Sequence, residues 1–259
     1  MDLHLNGKAA LVTGGSRGIG HAIAARLSTE GCRVGICGRD PDTLAEATAG
    51  LGRAESDVVG VIADVTRPGE VERFVDAAAE ALGGVDLLVA NVGGTVGGGL
   101  LDSTPEDWAQ TFELNTGHAV RAIRTAVPHM QMNGGGAVVI VSSISASKPS
   151  PRAQYGAAKA AENYLASAFA RELGPLNIRV NAVSPGSVLF PGGGWERYSR
   201  RHPNEFDEFV RRDFPARRLG TVDEVADVVT FLLSERASWV NGATIAVDGA
   251  QGRPSANGY

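Results

Sequence analysis

Short apolar runs alternate along the chain with longer segments whose apolar residues recur at helical spacing. Ala9-Ala10-Leu11-Val12 predicts a first strand and Ile19 to Thr29 a helix. A second strand is expected from Cys32 to Cys37, then a helix from Pro41 to Ala49. Asp40 is an N-cap type there and Pro41 suits the first helical position. Val58 to Ile62 reads as a third strand. Gly69 to Leu82 reads as a helix with Val71, Phe74, Val75, Ala78 and Leu82 on one side. Leu87-Leu88-Val89 is a fourth strand. Thr104-Pro105-Glu106-Asp107 combines a cap, a first-turn proline and acids near the positive helix end, and opens a long helix reaching Met132. Val138 to Val141, Arg179 to Val183 and Thr244 to Val247 are the remaining strands, with helices over Ala157 to Leu173 and Val222 to Leu233.

Strands that are apolar throughout, each followed by a helix, indicate an α/β protein whose parallel sheet is covered on both faces. No repeat, linker or low-complexity tract interrupts the pattern, so 1–259 is expected to be a single domain. One segment departs from it. Ser187 to Leu219 carries Pro191, Gly192, Gly193, Gly194 and seven arginines. It is too long for an ordinary connection and is expected to be a lid insertion over a substrate.

Composition narrows the function classes. A chain of 259 residues suits one α/β domain with a large core. A net charge of −5 gives no reason to expect a nucleic-acid partner. There is no apolar run of about 18 residues, and the N-terminus has neither a basic start nor an apolar signal core, so a cytoplasmic protein without membrane contact is expected. Cys32 and Cys37 point to opposite faces of one strand, cannot easily pair, and read as core thiols. His4, His21, His118, His129 and His202 are scattered, so no metal site is expected.

The candidate chemistry lies at strand ends. The first strand runs into Thr13-Gly14-Gly15-Ser16-Arg17-Gly18-Ile19-Gly20. Glycines there let backbone approach a pyrophosphate, and the helix that follows aims its free N–H groups at that charge. An acid at the end of the second strand would accept bonds from ribose hydroxyls and repel a 2′-phosphate; this chain has Gly38-Arg39. A guanidinium matches a phosphate, so NADP(H) is favoured, with Arg17 as a second contact; Asp40 keeps NAD(H) open. Asp64-Val65 ends the third strand, where Asp64 serves either the adenine amino group or a helix cap. Asn91-Val92-Gly93-Gly94 ends the fourth, Ser142-Ser143 the fifth and Pro185-Gly186 the sixth. Asn115 is a poor choice for a helix interior. Tyr155 and Lys159, four apart, share a helix face, and a cation beside a phenol stabilises the phenolate. That suits the pair to moving a proton on and off an alcohol or carbonyl oxygen.

In this order and spacing the motifs resemble the short-chain dehydrogenase/reductase family over nearly the whole chain, including its 3-oxoacyl-carrier-protein reductases. The resemblance rests on Thr13–Gly20, on Asn91–Gly94 as a version of Asn-Asn-Ala-Gly, and on Asn115, a strand-end serine, Tyr155-x-x-x-Lys159, Pro185-Gly186 and Asp248-Gly249. It implies a Rossmann fold with a doubly wound seven-stranded parallel sheet in three αβα layers, a nicotinamide cofactor and a homotetramer, or else a homodimer. Residue by residue it makes Tyr155 the acid/base and Lys159 its cationic partner and ribose ligand. Asn115 would hold a water linking Lys159 to solvent, and a serine would orient the substrate oxygen. Counting thirteen residues back from Tyr155 gives Ser142; the strand pattern Gly136 to Ser143 gives Ser143, which is preferred because strand geometry anchors it. Where the family often has a threonine that holds the nicotinamide amide, Phe190 stands instead, leaving the amide to backbone such as Val188. Asp248-Gly249-Ala250 replaces a common Asp-Gly-Gly.

The expected activity is hydride transfer between NADP(H) and a small-molecule carbonyl or secondary alcohol, a 3-oxoacyl or other ketone among the candidates. The competing readings are an NAD-dependent alcohol or dihydrodiol dehydrogenase, and a non-catalytic NADP(H)-binding sensor. Trp195, Phe190, Phe206 and Phe209 are expected as apolar walls of the lid. The lid arginines either meet an anionic substrate group such as a carboxylate or a carrier phosphopantetheine, or, the preferred reading, pair with Glu196, Glu205, Asp207, Glu208 and Asp213.

Overall fold

The computed structural model describes residues 1–51 and 57–252; the remainder of the domain predicted over 1–259 lies outside the described residues. Seven strands form one wholly parallel sheet: β1 (Ala9–Val12), β2 (Arg33–Gly38), β3 (Val58–Ile62), β4 (Leu87–Ala90), β5 (Gly136–Val141), β6 (Ile178–Pro185) and β7 (Thr244–Val247). Their order is β3-β2-β1-β4-β5-β6-β7. The chain winds outward from β1 to β3, crosses back to β4 and winds outward again to β7. β1 pairs with β2 on one side (Ala10 opposite Val34) and β4 on the other (Ala10 opposite Leu87). This reversal opens a crevice beyond the carboxyl ends of β1 and β4, where such sheets bind ligands.

Helices cover both faces. On one, α1 (Gly18–Thr29), α2 (Pro41–Ala49) and α9 (Val222–Leu233) bury Ile23, Leu27, Leu44 and Val229 against Val12, Ile36 and Val139. On the other, α3 (Glu70–Leu82), α5 (His118–Met132) and α6 (Ala153–Leu173) bury Phe74, Leu82, Met130 and Ala166 against Leu11, Leu88 and Ile140. Side chains as large as Phe74 and Leu27 contribute about 1.5–3 kcal/mol each when fully buried. Cys37, in β2, belongs to the core on the Leu11 side of the sheet, Cys32, just before β2, belongs to the opposite one, and both thiols are free. Burial pushes each thiol up to about 12, so neither is a ready nucleophile.

The long helix predicted from Thr104 is present but not uniform. Thr104 and Asp107 form a capping box at the start of α4 (Pro105–Phe112). A π-helical turn, Glu113–Gly117, then joins α4 to α5. Such a turn inserts an extra residue and frees backbone groups from the regular ladder. The buried Asn115 side chain lies in it, donating to the carbonyls of Gly94 (2.7 Å) and Thr111 (2.6 Å) and accepting from the Gly94 N–H (3.2 Å). An asparagine suited poorly to a helix is thus placed where the helix is broken open. Helix α6 starts at Ala153, four residues before the periodicity predicts, which puts Tyr155 in its first turn.

The segment beyond β6 folds into two short helices, α7 (Gly194–Arg201) and α8 (Pro203–Asp213). Its two ends are pinned together by a parallel bridge between Val188 and Gly220, with Leu189 N–H donating to Gly220 (2.9 Å) and Gly220 N–H to Ser187 (3.0 Å). No helix among the described residues is long and apolar enough to cross a membrane.

Candidate active site

The glycine turn after β1 is forced by close packing. A Cβ on Gly20 would lie 2.3 Å from the Gly14 carbonyl, and one on Gly14 would lie 2.8 Å from Val92. Gly14 and Gly18 both have positive φ, at 63° and 58°. Helix α1 therefore starts at Gly18 with no side-chain cap at Arg17 and no acid in its first turn. Uncapped N–H groups and the positive end of the dipole face a cleft lined by Gly14, Ser16, Arg17, Gly18, Ile19 and Gly20. Across it stand Gly38, Arg39, Asp64, Val65, Asn91 and Gly93. The donor set is cationic and glycine-smoothed, which fits a dinucleotide pyrophosphate.

Individual side chains divide between holding the cleft and facing it. Asn91 holds it: its amide donates to the carbonyls of Thr13 (3.0 Å) and Gly14 (3.3 Å), and its N–H donates to the Thr13 hydroxyl (2.9 Å). Asp64 does both, lining the cleft while one carboxylate oxygen accepts from the Thr66 N–H (3.0 Å) and hydroxyl (2.7 Å). Partial burial works against its charge, but the Thr66 bonds and the charge of Arg39 outweigh that and hold its carboxyl below the usual range. Arg39 itself is exposed at the cleft edge. Asp40 is turned to another task, accepting from the Thr43 N–H (2.8 Å) as the cap of α2.

Ile19, Asn91 and Gly93 also line a second recess with Ser143, Tyr155, Lys159, Pro185 and Gly186, so the two form one continuous groove. Tyr155 is half-buried there, with Lys159 Nζ 5.7 Å from its ring centroid. A Cβ on Gly93 would come within 2.8 Å of both Lys159 Nζ and Asn115 Oδ1, so the glycine lets these two groups approach the same spot. The two candidate serines differ. Ser142 is buried and its hydroxyl donates to the Lys159 carbonyl (3.0 Å). Ser143 is half-exposed; its hydroxyl oxygen accepts from the Ser145 N–H (3.1 Å), which leaves its own proton to donate. Gly186 is required because Asp248 and Gln251 press on it, 2.8 Å from a Cβ. At Val188 the bridge to Gly220 uses the backbone groups of Ser187 and Leu189, so the N–H and C=O of Val188 itself point the other way.

Two buried titratable groups beside Lys159 escape the sequence reading. Lys159 is 1% exposed, and its ammonium donates to the carboxylate of Glu162 (3.0 and 3.2 Å) and to the Val141 carbonyl (2.9 Å). His118 is fully buried, with Nε2 3.4 Å from the Thr13 hydroxyl. Burial, helped by the Lys159 charge, pushes this imidazole down to about 3, so it stays neutral. The signal for Glu162 was an acid three residues after Lys159 on an otherwise alanine-rich helix face. No cluster of metal-ligating side chains occurs among the described residues.

The aromatics of the 187–219 segment gather into one cluster with one exception. Trp195 stacks on Phe209 (centroids 4.5 Å apart, planes 5° apart), with Tyr198 and Phe206 around them. Phe190 does not join this wall: its ring lies 3.0 Å from where a Gly18 Cβ would be, over the glycine turn in the cofactor cleft. The turn at Gly192 and Gly193 bends the chain back between the two. Of the arginines in this segment, Arg200 pairs with Glu196 and Arg212 with Asp213, both within it, and Arg218 pairs with Glu224 of α9.

A family profile described as enoyl-(acyl carrier protein) reductase matches residues 14–250. The chain is 38% identical over 255 residues to dehydrogenase/reductase SDR family member 4 of Pongo abelii, covering 97% of this chain and 89% of the relative. L-sorbose reductase from Gluconobacter frateurii, crystallised with NADPH and L-sorbose, matches with a TM-score of 0.89 at 32% identity, over 97% of this chain and 98% of that one. A 7α-hydroxysteroid dehydrogenase complexed with NADH and 7-oxo glycochenodeoxycholic acid matches at 0.86 and 30% identity, over 96% and 95%. With the groove described above, these matches make the protein an NAD(P)-dependent oxidoreductase. The chain belongs to the short-chain dehydrogenase/reductase family.

Proposed function

We propose that the protein interconverts a carbonyl and a secondary alcohol on a small molecule, preferring NADP(H), with Tyr155 as the acid/base. The observation that carries this reading is the continuous groove in which Tyr155, Lys159 and Ser143 meet beside the glycine turn. The nicotinamide supplies or accepts the hydride when bound. Tyr155 gives its proton to the substrate oxygen in reduction and takes it back in oxidation. Ser143 donates a hydrogen bond to that oxygen and steadies the charge developing on it. Lys159 stabilises the phenolate and binds the nicotinamide ribose, and Asn115, at the opened π-turn, holds the water that connects Lys159 to solvent. Val188 backbone takes the nicotinamide amide, with Pro185 and Gly186 shaping that wall. The NADP(H) preference rests on exposed Arg39 at the cleft edge and on Asp40 being engaged as the α2 cap. The lid over 187–219 selects the substrate, and a homotetramer in the cytoplasm is the expected setting.

Tyr155→Phe tests the assignment. It is expected to lower kcat/KM by about 10²–10⁴-fold on any ketone or alcohol the wild type turns over. NADPH binding, followed by nucleotide fluorescence, should stay within a few-fold of wild type and exceed NADH binding in both proteins. A Tyr155→Phe enzyme with wild-type turnover would overturn the acid/base role. Equal NADPH and NADH affinity would overturn the cofactor preference.

A further inference from the structure

We propose that Glu162 is a positioning residue that fixes the Lys159 ammonium and sets how much of its charge reaches Tyr155. The proposal rests on the Tyr155 acid/base reading and adds a member to that site. Tyr155, Lys159 and Glu162 follow one another at spacings of four and three along one face of α6. Glu162 is completely buried, and both of its carboxylate oxygens face Lys159 Nζ, at 3.2 and 3.0 Å. The Val141 carbonyl, at 2.9 Å, completes the ammonium's protein partners. These contacts hold the lysine at the floor of the recess rather than leaving it free to sweep across it.

Stability gives little reason for this acid. A buried ion pair is commonly matched or surpassed by apolar residues of similar volume, because desolvation offsets the attraction. Beyond Glu162 the buried residues of this helix are apolar, Ala166, Ala170 and Leu173. What Glu162 changes is the field. The ammonium and carboxylate together are close to neutral, and in a low-dielectric recess a neighbouring charge acts strongly over a few ångströms.

The groups around the pair restrict which of them can vary this field near neutral pH. On α6 they are Tyr155 and Lys159; from the π-turn and the start of α5, Asn115 and His118; from β5, the Val141 carbonyl and the Ser142 hydroxyl. His118 is neutral throughout, and Asn115 and Ser142 do not titrate there. Burial pushes the Glu162 carboxyl up to about 7 against the pull of Lys159. Below that region Glu162 is protonated and Lys159 acts on Tyr155 with its full charge. Above it the carboxylate offsets the ammonium and the phenolate receives less help.

The test reads Tyr155 directly and needs no identified substrate. Tyrosinate absorbance is titrated in the NADP⁺-saturated wild type, with Tyr155→Phe as the blank that isolates the Tyr155 signal. Glu162→Gln keeps volume and an acceptor oxygen, and Glu162→Leu keeps volume alone. Each is measured against its own Tyr155→Phe double variant. Both should move the Tyr155 midpoint to lower pH by about one unit, read with each variant at its own NADP⁺ saturation. Midpoints that coincide with wild type, or that rise, overturn the proposal. Infrared titration of the unmutated protein provides a second check: a buried carboxylic acid C=O band should appear as pH falls through neutrality, and its absence also overturns the proposal. Turnover retained by Tyr155→Phe would sink the acid/base reading itself, whereas a null Tyr155→Phe with unmoved midpoints would sink only the role of Glu162.

Discussion

Ser142 and Ser143 are adjacent in sequence yet suited to different tasks. The Ser142 hydroxyl is buried and donates to the Lys159 carbonyl, so it braces the helix that carries Tyr155. Ser143 keeps a free proton at the recess. Ser143→Ala is therefore expected to lower kcat by about 10²–10³-fold, the usual loss for one donor to a developing oxyanion, with the melting temperature almost unchanged. Ser142→Ala should do the reverse, costing about 1 kcal/mol of stability and only a few-fold in rate. Swapped outcomes in kinetics and thermal melts would assign the substrate contact to Ser142. Sequence alone left these two open because counting along a loop and reading a strand pattern disagree by one residue; the pleat and the hydrogen bonds distinguish their environments. Tyr155 and Lys159 were legible because their relation is local to one helix turn. Glu162 was not, since an acid on a helix normally marks its solvent face, and only the packing of α6 on β5 shows this one to be buried.

Elements whose signals are local emerged nearly as expected: α2 and α9 have the predicted limits, as do β1, β3 and β7. Asp40, Thr104 and Thr221 accept N–H bonds at the helix starts where cap residues stand. The π-turn at Glu113–Gly117 left no such trace, because it answers to a tertiary demand, the anchoring of Gly94 by Asn115. The folding of 187–219 into two helices was equally hidden, since its glycines and charges obscure any apolar period. Helix α9 supports a prediction of its own. Glu224 closes the capping box with Thr221 and also pairs with Arg218 at the end of the lid segment. Arg218 and the Thr221 N–H hold its carboxyl down from 4.5 to about 2. Because the folded state favours the ionised form, its stabilisation is fully present above 4.5 and is lost as pH falls toward 2. Glu224→Gln should thus melt below wild type by a few degrees at neutral pH, with the two curves converging toward pH 2. A gap that stayed constant down to pH 2 would show that the charge of Glu224 contributes nothing.

On the scale of the whole molecule, the groove is bounded by parts of the chain that are far apart in sequence, and one small network ties them together. Lys148, in the loop between β5 and α6, donates to Asp213 at the end of α8 (2.8 Å) and to the Gln251 carbonyl beyond β7 (3.1 Å). Gln251 in turn accepts from the Ser187 N–H (2.8 Å) and donates to the Ser187 hydroxyl (3.0 Å) where the lid begins. Asp213 is kept ionised despite partial burial by its bonds to Lys148 and Arg212. The 187–219 segment is thereby fastened to the loop that presents Ser143, while the glycine turn, Arg39 and Asp64 of the cofactor cleft take no part. Lys148→Ala should loosen the 187–219 segment and reach the cofactor cleft only at its Phe190 edge and at Val188, the proposed amide contact. We expect faster hydrogen exchange across 187–219, a rise in substrate KM of roughly fivefold for about 1 kcal/mol of lost ordering in that segment, and a smaller loss of NADPH affinity, about twofold, through Val188 and Phe190. If NADPH affinity fell in step with KM, the network would be supporting the whole carboxyl edge of the sheet; if exchange in 187–219 did not change, Lys148 would not be the tether.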